Sequence, residues 1–201
     1  MKKRLLYHQL IKHINHKNAL LITGMRQVGK TTLIHQIFNE IDEPKLWFDL
    51  DNPLDQKIFE DEDYGVIYKR LIDMGKGSGK LSVFIDEIQN FPEITKVIKY
   101  LIDHHHVKFY LTGSSNFYLK NLFPESLSGR KFLYELPPLS FQEYLYFRDI
   151  ISLKQVQGFT LENAIKQSSI FTHKTRIAEY DDFLNFGGFP EVVMTQDKDT
   201  K

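Results

Sequence analysis

Five short apolar runs alternate along the chain with segments whose apolar residues recur at helical spacing. The runs cover residues 19–23, 46–50, 81–87, 107–112 and 131–136. Runs of this length, bounded by polar residues and turn formers, are typical of buried strands. The intervening segments repeat their apolar positions every three or four residues, which predicts helices. The alternation predicts an α/β fold in which a mainly parallel sheet is covered by helices on both faces.

The pattern changes after Pro137 and Pro138, which end the fifth run. From there on the chain shows helical patterns around residues 139–150, 160–168 and 176–186. The stretch Gly187-Gly188-Phe189-Pro190 ends the last of these patterns. We therefore predict a core over residues 1–150, followed by a helical segment over residues 151–201.

Residues 24–31 fit the pattern G-x-x-x-x-G-K-[ST] of a phosphate-binding loop, between a predicted strand and a predicted helix. The two glycines allow the backbone to approach a phosphate closely, and the helix N-terminus adds a positive dipole. Lys30 is expected to reach the β- and γ-phosphates, and the hydroxyl of Thr31 to ligate Mg²⁺. A chance glycine turn is the alternative, which the flanking strand and helix disfavour. The predicted nucleotide-binding residues are Gly24, Met25, Arg26, Gln27, Val28, Gly29, Lys30, Thr31 and Thr32.

Two carboxylates, Asp86 and Glu87, end the third apolar run. An Asp at the tip of such a strand can hold Mg²⁺, usually through water, and a Glu directly after it can orient and deprotonate an attacking water. By itself the pair also fits a charged strand end at a turn. Together with the phosphate-binding loop it fits a Walker A and Walker B pair, so we predict Asp86 as a metal ligand and Glu87 as the catalytic base.

Three further residues are candidates for the catalytic site. Thr112 and Ser114 end the fourth run, where a polar side chain could reach the γ-phosphate or the attacking water, although Thr-Gly-Ser-Ser also suits an ordinary turn. Arg130 precedes the fifth run, and a cation there could serve a neighbouring subunit's γ-phosphate, which can raise turnover by about 10³–10⁵. A surface arginine that caps a carbonyl fits Arg130 equally well.

Composition narrows the class of protein. The 201 residues include 26 acidic and 26 basic side chains and no cysteine, so disulfides and thiolate metal sites are excluded. No apolar run approaches the roughly 18 residues of a membrane span, and we expect a cytoplasmic protein without a membrane partner. No Asp or Glu precedes Glu40, so the basic start could touch DNA, but the neutral total charge argues against a dedicated nucleic-acid module.

Five motifs occur in an order that resembles predicted prokaryotic AAA+-type P-loop ATPases. They are Gly24–Thr32, Phe84–Gln89, Leu111–Ser115, Leu127–Arg130 and Gly187–Glu191. The resemblance implies a five-stranded sheet of order 5-1-4-3-2, adenine nucleotide with Mg²⁺, Glu87 as base, Thr112 to Ser114 as sensor region and Arg130 as arginine finger. Family members usually continue into a C-terminal domain, which we expect to be absent or cut short here. Homo-oligomer formation and binding of a protein or DNA partner are expected to depend on that domain.

The motifs favour an ATPase that hydrolyses ATP with Mg²⁺ and couples this to conformational change in itself or a partner. The alternative is a nucleotide-gated binding or signalling switch with little turnover, against which the carboxylate of Glu87 argues. A DNA-associated protein is suggested by the basic start of the chain. A GTPase is disfavoured because the sequence lacks an Asn-Lys-x-Asp motif, and a small-molecule kinase stays open.

Overall fold

The five predicted strands form one parallel sheet in the computed structural model, which describes residues 2–76, 80–114, 129–160, 162, 165 and 176–195. The strands are β1 (Ala19–Thr23), β2 (Lys45–Asp49), β3 (Ser82–Asp86), β4 (Lys108–Gly113) and β5 (Lys131–Glu135). They lie in the order β2-β3-β4-β1-β5, and each neighbouring pair is parallel. The predicted α/β fold of a P-loop NTPase and the predicted order 5-1-4-3-2 are therefore confirmed.

The central strands β1, β3 and β4 are buried along their whole length, whereas the edge strands β2 and β5 are partly exposed. A central strand of a parallel sheet faces covering helices on both sides, so both of its faces are apolar. The continuous apolar stretches Ala19–Ile22 and Val83–Ile85 follow from this position in the sheet. They also make the central strands a rigid base for the loops that follow them.

The helices of the sheet region are α1 (Leu5–Leu10), α2 (Lys30–Glu40), α3 (Pro53–Ile58), α4 (Tyr64–Gly75) and α5 (Ile94–His105). Single turns of 3₁₀ helix follow α1 and β3, at Ile11–His13 and Ile88–Asn90. Side chains from α4 and α5 pack with β3 and β4 in one large apolar cluster, which includes Ile67, Leu71, Ile98, Leu101 and Val83.

Helix α4 has no counterpart among the sequence-based predictions. The side chain of Asp63 caps its N-terminus by accepting a hydrogen bond from the backbone N–H of Gly65 at 2.8 Å. Ile67 and Leu71 lie one turn apart and are fully buried. The signal is weak in the sequence because glycines stand near both ends of this helix, where they resemble loop residues.

Contacts divide the chain into two compact units, Leu6–Leu136 and Met1–Leu5 with Pro137–Lys201. The division falls at the prolines after β5, whereas the sequence predicted a core extending to residue 150. The reason is that the first helix after the prolines packs with Val193 into a separate apolar cluster. That cluster consists of Leu139, Tyr144, Leu145, Phe147 and Val193. The expected C-terminal domain beyond these helices stays a prediction.

The helices in the described part of the second unit are α6 (Phe141–Phe147), α7 (Leu153–Gln157), α8 (Ile177–Phe186) and α9 (Pro190–Met194). The helix predicted around residues 160–168 falls largely outside the described residues. Ser140 and Glu143 form a capping box at the start of α6, which fixes where this helix begins. Within the described ranges, no helix combines the length and the hydropathy that a membrane span requires.

A buried ion pair joins the start of the chain to α6. Arg4 Nε donates to Glu143 Oε1 at 2.9 Å, and Arg4 Nη2 donates to Glu143 Oε2 at 3.1 Å and to the carbonyl of Pro137 at 2.9 Å. Burial by itself would raise the pKa of Glu143. The hydrogen bonds and charge of Arg4, together with hydrogen bonds from the backbone N–H groups of Leu5 and Ser140, outweigh this effect, so the pKa of Glu143 is lowered. The first residues of the chain are thereby part of the second unit.

Candidate functional site

Three loops that carry predicted site residues leave the sheet on the same side, at the carboxyl ends of the strands. The phosphate-binding loop follows β1, Asp86 and Glu87 follow β3, and Thr112 lies at the end of β4. β1 and β4 are neighbours in which Ile22 pairs with Thr112, and β3 is the next strand beyond β4. In open α/β sheets, ligands bind outside the carboxyl ends of the strands, which is where these loops meet.

The first glycine of the phosphate-binding loop lies against the end of β5. A Cβ atom at Gly24 would stand 2.3 Å from the carbonyl oxygen of Leu136, so no side chain fits there. The backbone N–H of Leu136 in turn donates to the carbonyl of Thr23 at 2.7 Å. The loop is therefore held directly against the last residue of the first unit.

The second glycine of the loop starts α2. Gly29 has φ +93°, in the left-handed region that favours glycine, and its carbonyl accepts the first helical hydrogen bond from Leu33 at 2.9 Å. The loop between the two glycines exposes Met25, Arg26 and Gln27, and buries Val28. Thr31 is exposed on the first turn of α2, and Thr32 is partly buried. A glycine-rich loop that leads into a helix N-terminus suits an anionic phosphate.

Lys30 brings a buried cation to this edge of the sheet. Its side chain is 4% exposed, and Nζ donates to the carbonyl of Met25 at 2.8 Å. Burial lowers the pKa of Lys30, while the negative charges of Glu87 and Asp86 oppose that shift. Walker A and Walker B residues therefore act on one another electrostatically in the folded chain.

Asp86 is fixed by hydrogen bonds from Thr112 on β4 and from the backbone of Glu87. Its Oδ1 atom accepts hydrogen bonds from the hydroxyl of Thr112 and, at 3.2 Å, from the backbone N–H of Glu87. Asp86 is 5% exposed, and its Oδ2 atom makes no hydrogen bond to any residue in the described part of the chain. A carboxylate oxygen is the ligand type that Mg²⁺ prefers, so the residues present fit the predicted metal.

Glu87 is held by two polar side chains. The hydroxyl of Ser114 donates to its carboxylate, 2.8 Å from Oε1 and 2.7 Å from Oε2, and Nε2 of Gln89 donates to Oε2. The backbone of Glu87 has φ +53°, which is uncommon for a residue other than glycine. Gln89 was not predicted as a site residue, although the motif Phe84–Gln89 contains it; its position two residues after Glu87 was the available signal.

Arg130 lies on the opposite side of the sheet, at the amino ends of the strands. Its carbonyl accepts a hydrogen bond from the backbone N–H of Ala19 at 2.8 Å, where β1 begins, and its Nε atom forms an ion pair with Asp103 at 2.6 Å. The phosphate-binding loop follows the other end of β1, about 16 Å away at a rise of about 3.3 Å per residue. The fold brings Lys30, Asp86, Glu87, Thr112 and Ser114 together and leaves Arg130 apart from them.

Comparisons with known proteins show the family and the fold of this chain. A family model described as an AAA domain matches residues 16–145, which is more than half of the chain. The chain belongs to this AAA family. Membership of this family and the phosphate-binding loop between β1 and α2 support an ATP-binding P-loop NTPase.

Among solved structures, the Walker-type ATPase PABY2304 of Pyrococcus abyssi has a TM-score of 0.61 at 18% identity. The aligned region covers 96% of this AAA chain and 66% of the chain of that ATPase. The ORC1 protein of Aeropyrum pernix, solved in complex with DNA, has a TM-score of 0.54 at 16% identity over 75% of this chain and 48% of its own. These likenesses show the shared fold.

Sequence relatives of this AAA chain are much longer than the chain itself. An uncharacterized protein of Methanocaldococcus jannaschii is 27% identical over 90% of this chain and 37% of its own length. One of Mycobacterium tuberculosis is 31% identical over 67% of this chain and 28% of its own length. The chain thus spans less than two fifths of the length of these relatives, so what the whole proteins do is a matter for proposal.

Proposed function

We propose that the chain binds ATP with Mg²⁺ at residues 24–32 and hydrolyses it. The observation that carries the proposal is the meeting of Lys30, Asp86 and Glu87 at the carboxyl edge of the sheet, beside a loop that admits no side chain at Gly24. A buried cation and two acids beside a helix N-terminus are the parts that phosphoryl transfer to water requires. Location in the cytoplasm is part of the same proposal.

Each of these residues has a distinct part in the proposed reaction. Lys30 exchanges its hydrogen bond to the Met25 carbonyl for the phosphates, which restores a partner of opposite charge to a buried ammonium. Asp86 and Thr31 would hold Mg²⁺, which would supply charge neutralisation at the phosphates. Glu87 accepts a proton from the attacking water. Thr112 and Ser114 keep the two carboxylates in place through their hydroxyl groups.

Coupling to conformational change is proposed to run through Leu136. Its carbonyl lies against Gly24, its N–H binds the carbonyl of Thr23, and the second unit begins at the next residue. A change in the loop on nucleotide binding would therefore move the point at which the chain leaves the first unit. That movement is the proposed output, directed at the chain itself or at a protein or DNA partner bound through a further C-terminal domain.

Arg130 is proposed to act on the nucleotide of a neighbouring subunit in a homo-oligomer. Arg130 lies at the amino ends of the strands, away from the phosphate-binding loop and Lys30 of its own chain. It is therefore too far away to act on a nucleotide bound there, which supports a role in trans. Mixing Arg130→Ala chains with Lys30→Ala chains tests this proposal. Each variant alone should turn over ATP poorly, and mixed oligomers should regain activity. Full activity of Arg130→Ala at dilutions where the protein is monomeric would contradict it.

The second candidate function is a nucleotide-gated switch with little turnover. It is favoured by the hydrogen bonds that hold the carboxylate of Glu87 on Ser114 and Gln89, which could keep it from a water. Single-turnover hydrolysis of bound ATP distinguishes the two functions. An ATPase converts the bound ATP on a time scale of seconds to minutes, whereas a switch retains it.

The test of the leading proposal compares three variants. Lys30→Ala should lose ATP binding, and Glu87→Gln should bind ATP normally and lose hydrolysis, because the amide keeps the shape of the side chain and removes the base. Glu93→Gln is the matched control, since Glu93 is an exposed acid that pairs with Lys96 on α5. Normal turnover by Glu87→Gln, or normal ATP affinity of a folded Lys30→Ala protein, would refute the assignment.

A further inference from the structure

We propose that Gln89 is a positioning residue of the site, which sets the orientation of the Glu87 carboxylate. The inference rests on the proposed role of Glu87 as the base. It concerns the side chain that ends the motif Phe84–Gln89, to which the Walker A and Walker B pair assigns no role, on the 3₁₀ turn Ile88–Asn90 after β3.

Both ends of the Gln89 amide are used. Its Nε2 atom donates to Glu87 Oε2, and its Oε1 atom accepts the backbone N–H of Ser114 at 3.2 Å. A backbone N–H can donate a hydrogen bond only to the oxygen of an amide. The N–H of Ser114 therefore orients the NH₂ group of Gln89 toward Glu87. The hydroxyl of Ser114 completes a closed set of hydrogen bonds by donating to the same carboxylate.

Glu87 needs such support because its own backbone does not supply it. The residue follows the last residue of β3 and adopts a left-handed conformation, so the pairing of the strand does not fix its side chain. A general base must hold a lone pair on the attacking water within about 0.5 Å and 10–20° of the productive direction. Gln89 restricts the rotation of the carboxylate and contacts only its Oε2 atom, so the lone pairs of Oε1 are not used by the amide.

The chemistry of this position requires an amide. A methionine has a similar length but offers no donor and only a weak acceptor, so the carboxylate would lose one fixed contact. A glutamate would place a second carboxylate against Glu87 and would remove the amide donor between them. Gln89→Met is therefore the variant that removes the interaction with the smallest change in shape.

The experiment measures kcat and KM for ATP in four chains: wild type, Gln89→Met, Glu87→Gln and the double variant. Gln89→Met should lower kcat by about ten-fold or more with KM nearly unchanged, because the lost interaction orients a catalytic group and does not bind nucleotide. In the Glu87→Gln background the same substitution should have no further effect. A merely structural role would lower the residual activity in both backgrounds.

Gln155→Met is the matched control. Gln155 also accepts a backbone N–H, from Ser152 at 2.8 Å, but it lies on α7 in the second unit. The same chemical change there should leave kcat and KM at wild-type values. If Gln155→Met lowers kcat as much as Gln89→Met does, the effect does not come from Glu87 and the proposal fails.

A second readout does not depend on turnover. The side-chain NH₂ signals of Gln89, assigned in ¹H–¹⁵N spectra by their loss in Gln89→Met, should shift strongly in Glu87→Ala, because their acceptor is removed. Affinity for a fluorescent ATP analogue should stay within about two-fold in Gln89→Met.

The outcomes separate the two proposals. Normal turnover by Glu87→Gln overturns the proposed function of Glu87 itself. Loss of turnover in Glu87→Gln with wild-type kcat in Gln89→Met overturns only the role of Gln89. Unshifted Gln89 signals in Glu87→Ala also overturn the role of Gln89, because the hydrogen bond on which it depends would be absent.

Discussion

Replacing Gly24 by alanine should damage both stability and nucleotide binding. The new Cβ atom would lie 2.3 Å from the carbonyl oxygen of Leu136, whereas ordinary contacts begin at 3.4 Å. The chain would have to open by about 1 Å, a typical overpacking displacement. The carbonyl belongs to the backbone, so it cannot turn aside as a flexible side chain could.

The cost can be worked out from the groups that must move. Leu136 cannot withdraw without stretching its hydrogen bond to Thr23, which measures 2.7 Å. Loss of that bond costs about 1 kcal/mol, and the remaining overlap costs about 1–3 kcal/mol. We therefore expect Gly24→Ala to lower the free energy of unfolding of the first unit by about 2–4 kcal/mol.

The assay is urea denaturation followed by the fluorescence of Trp47, which is the only tryptophan of the chain and lies in β2 of the first unit. ATP at about 100 times its dissociation constant should stabilise the wild type by about 2.7 kcal/mol. Gly24→Ala should show no such stabilisation, because its displaced loop no longer fits the phosphates.

Gly188→Ala provides the matched control in the second unit. A Cβ atom there would lie 2.4 Å from the carbonyl oxygen of Leu139, so the overlap is of the same kind. This variant should destabilise the second unit and keep the stabilisation by ATP that Trp47 reports. Wild-type stability of Gly24→Ala would refute the steric reasoning, and normal stabilisation of that variant by ATP would refute the placement of the nucleotide.

Three other substitutions have defined expectations. Lys108 donates to the carbonyls of His16 and Asn18 at 2.7 and 2.6 Å, and burial lowers its pKa to about 7. Above pH 7 the unfolded chain therefore holds more protons than the folded chain, so stability rises with pH. In urea titrations, the free energy of unfolding of the wild type relative to Lys108→Met should rise by up to about 2 kcal/mol between pH 7 and 9. Parallel dependences of stability on pH in the two proteins would contradict this. Glu143→Gln should lower the free energy of unfolding by about 3–5 kcal/mol, measured by circular dichroism, because it leaves buried Arg4 without its counter-ion. A decrease of less than about 1 kcal/mol would show that the pair is not buried in solution. Asp86→Asn should weaken the dependence of ATP affinity on Mg²⁺, and an unchanged titration with Mg²⁺ would remove Asp86 as a ligand.

Much of the sheet could be predicted because local pattern and tertiary position coincide there. The run before Gly24 and the run before Asp86 are apolar on both faces, and the structure buries both strands completely. The glycine and lysine spacing of the phosphate loop requires a strand and a helix on either side, and β1 and α2 are found there. Helix α4 was missed because Gly65 and Gly75 weaken its local signal, while burial of Ile67 and Leu71 stabilises it.

The sequence by itself determined the α/β class and the residues of the loop, since these depend on spacing along a few neighbouring residues. Resemblance supplied the strand order. Only the tertiary structure decided which side chains support Glu87, because the contact between Gln89 and the N–H of Ser114 joins the ends of two strands. It also decided that Gly24 lies against Leu136 and that Arg130 stands at the far edge of the sheet. Such contacts join residues far apart in the chain, and no local pattern of apolar and polar positions encodes them.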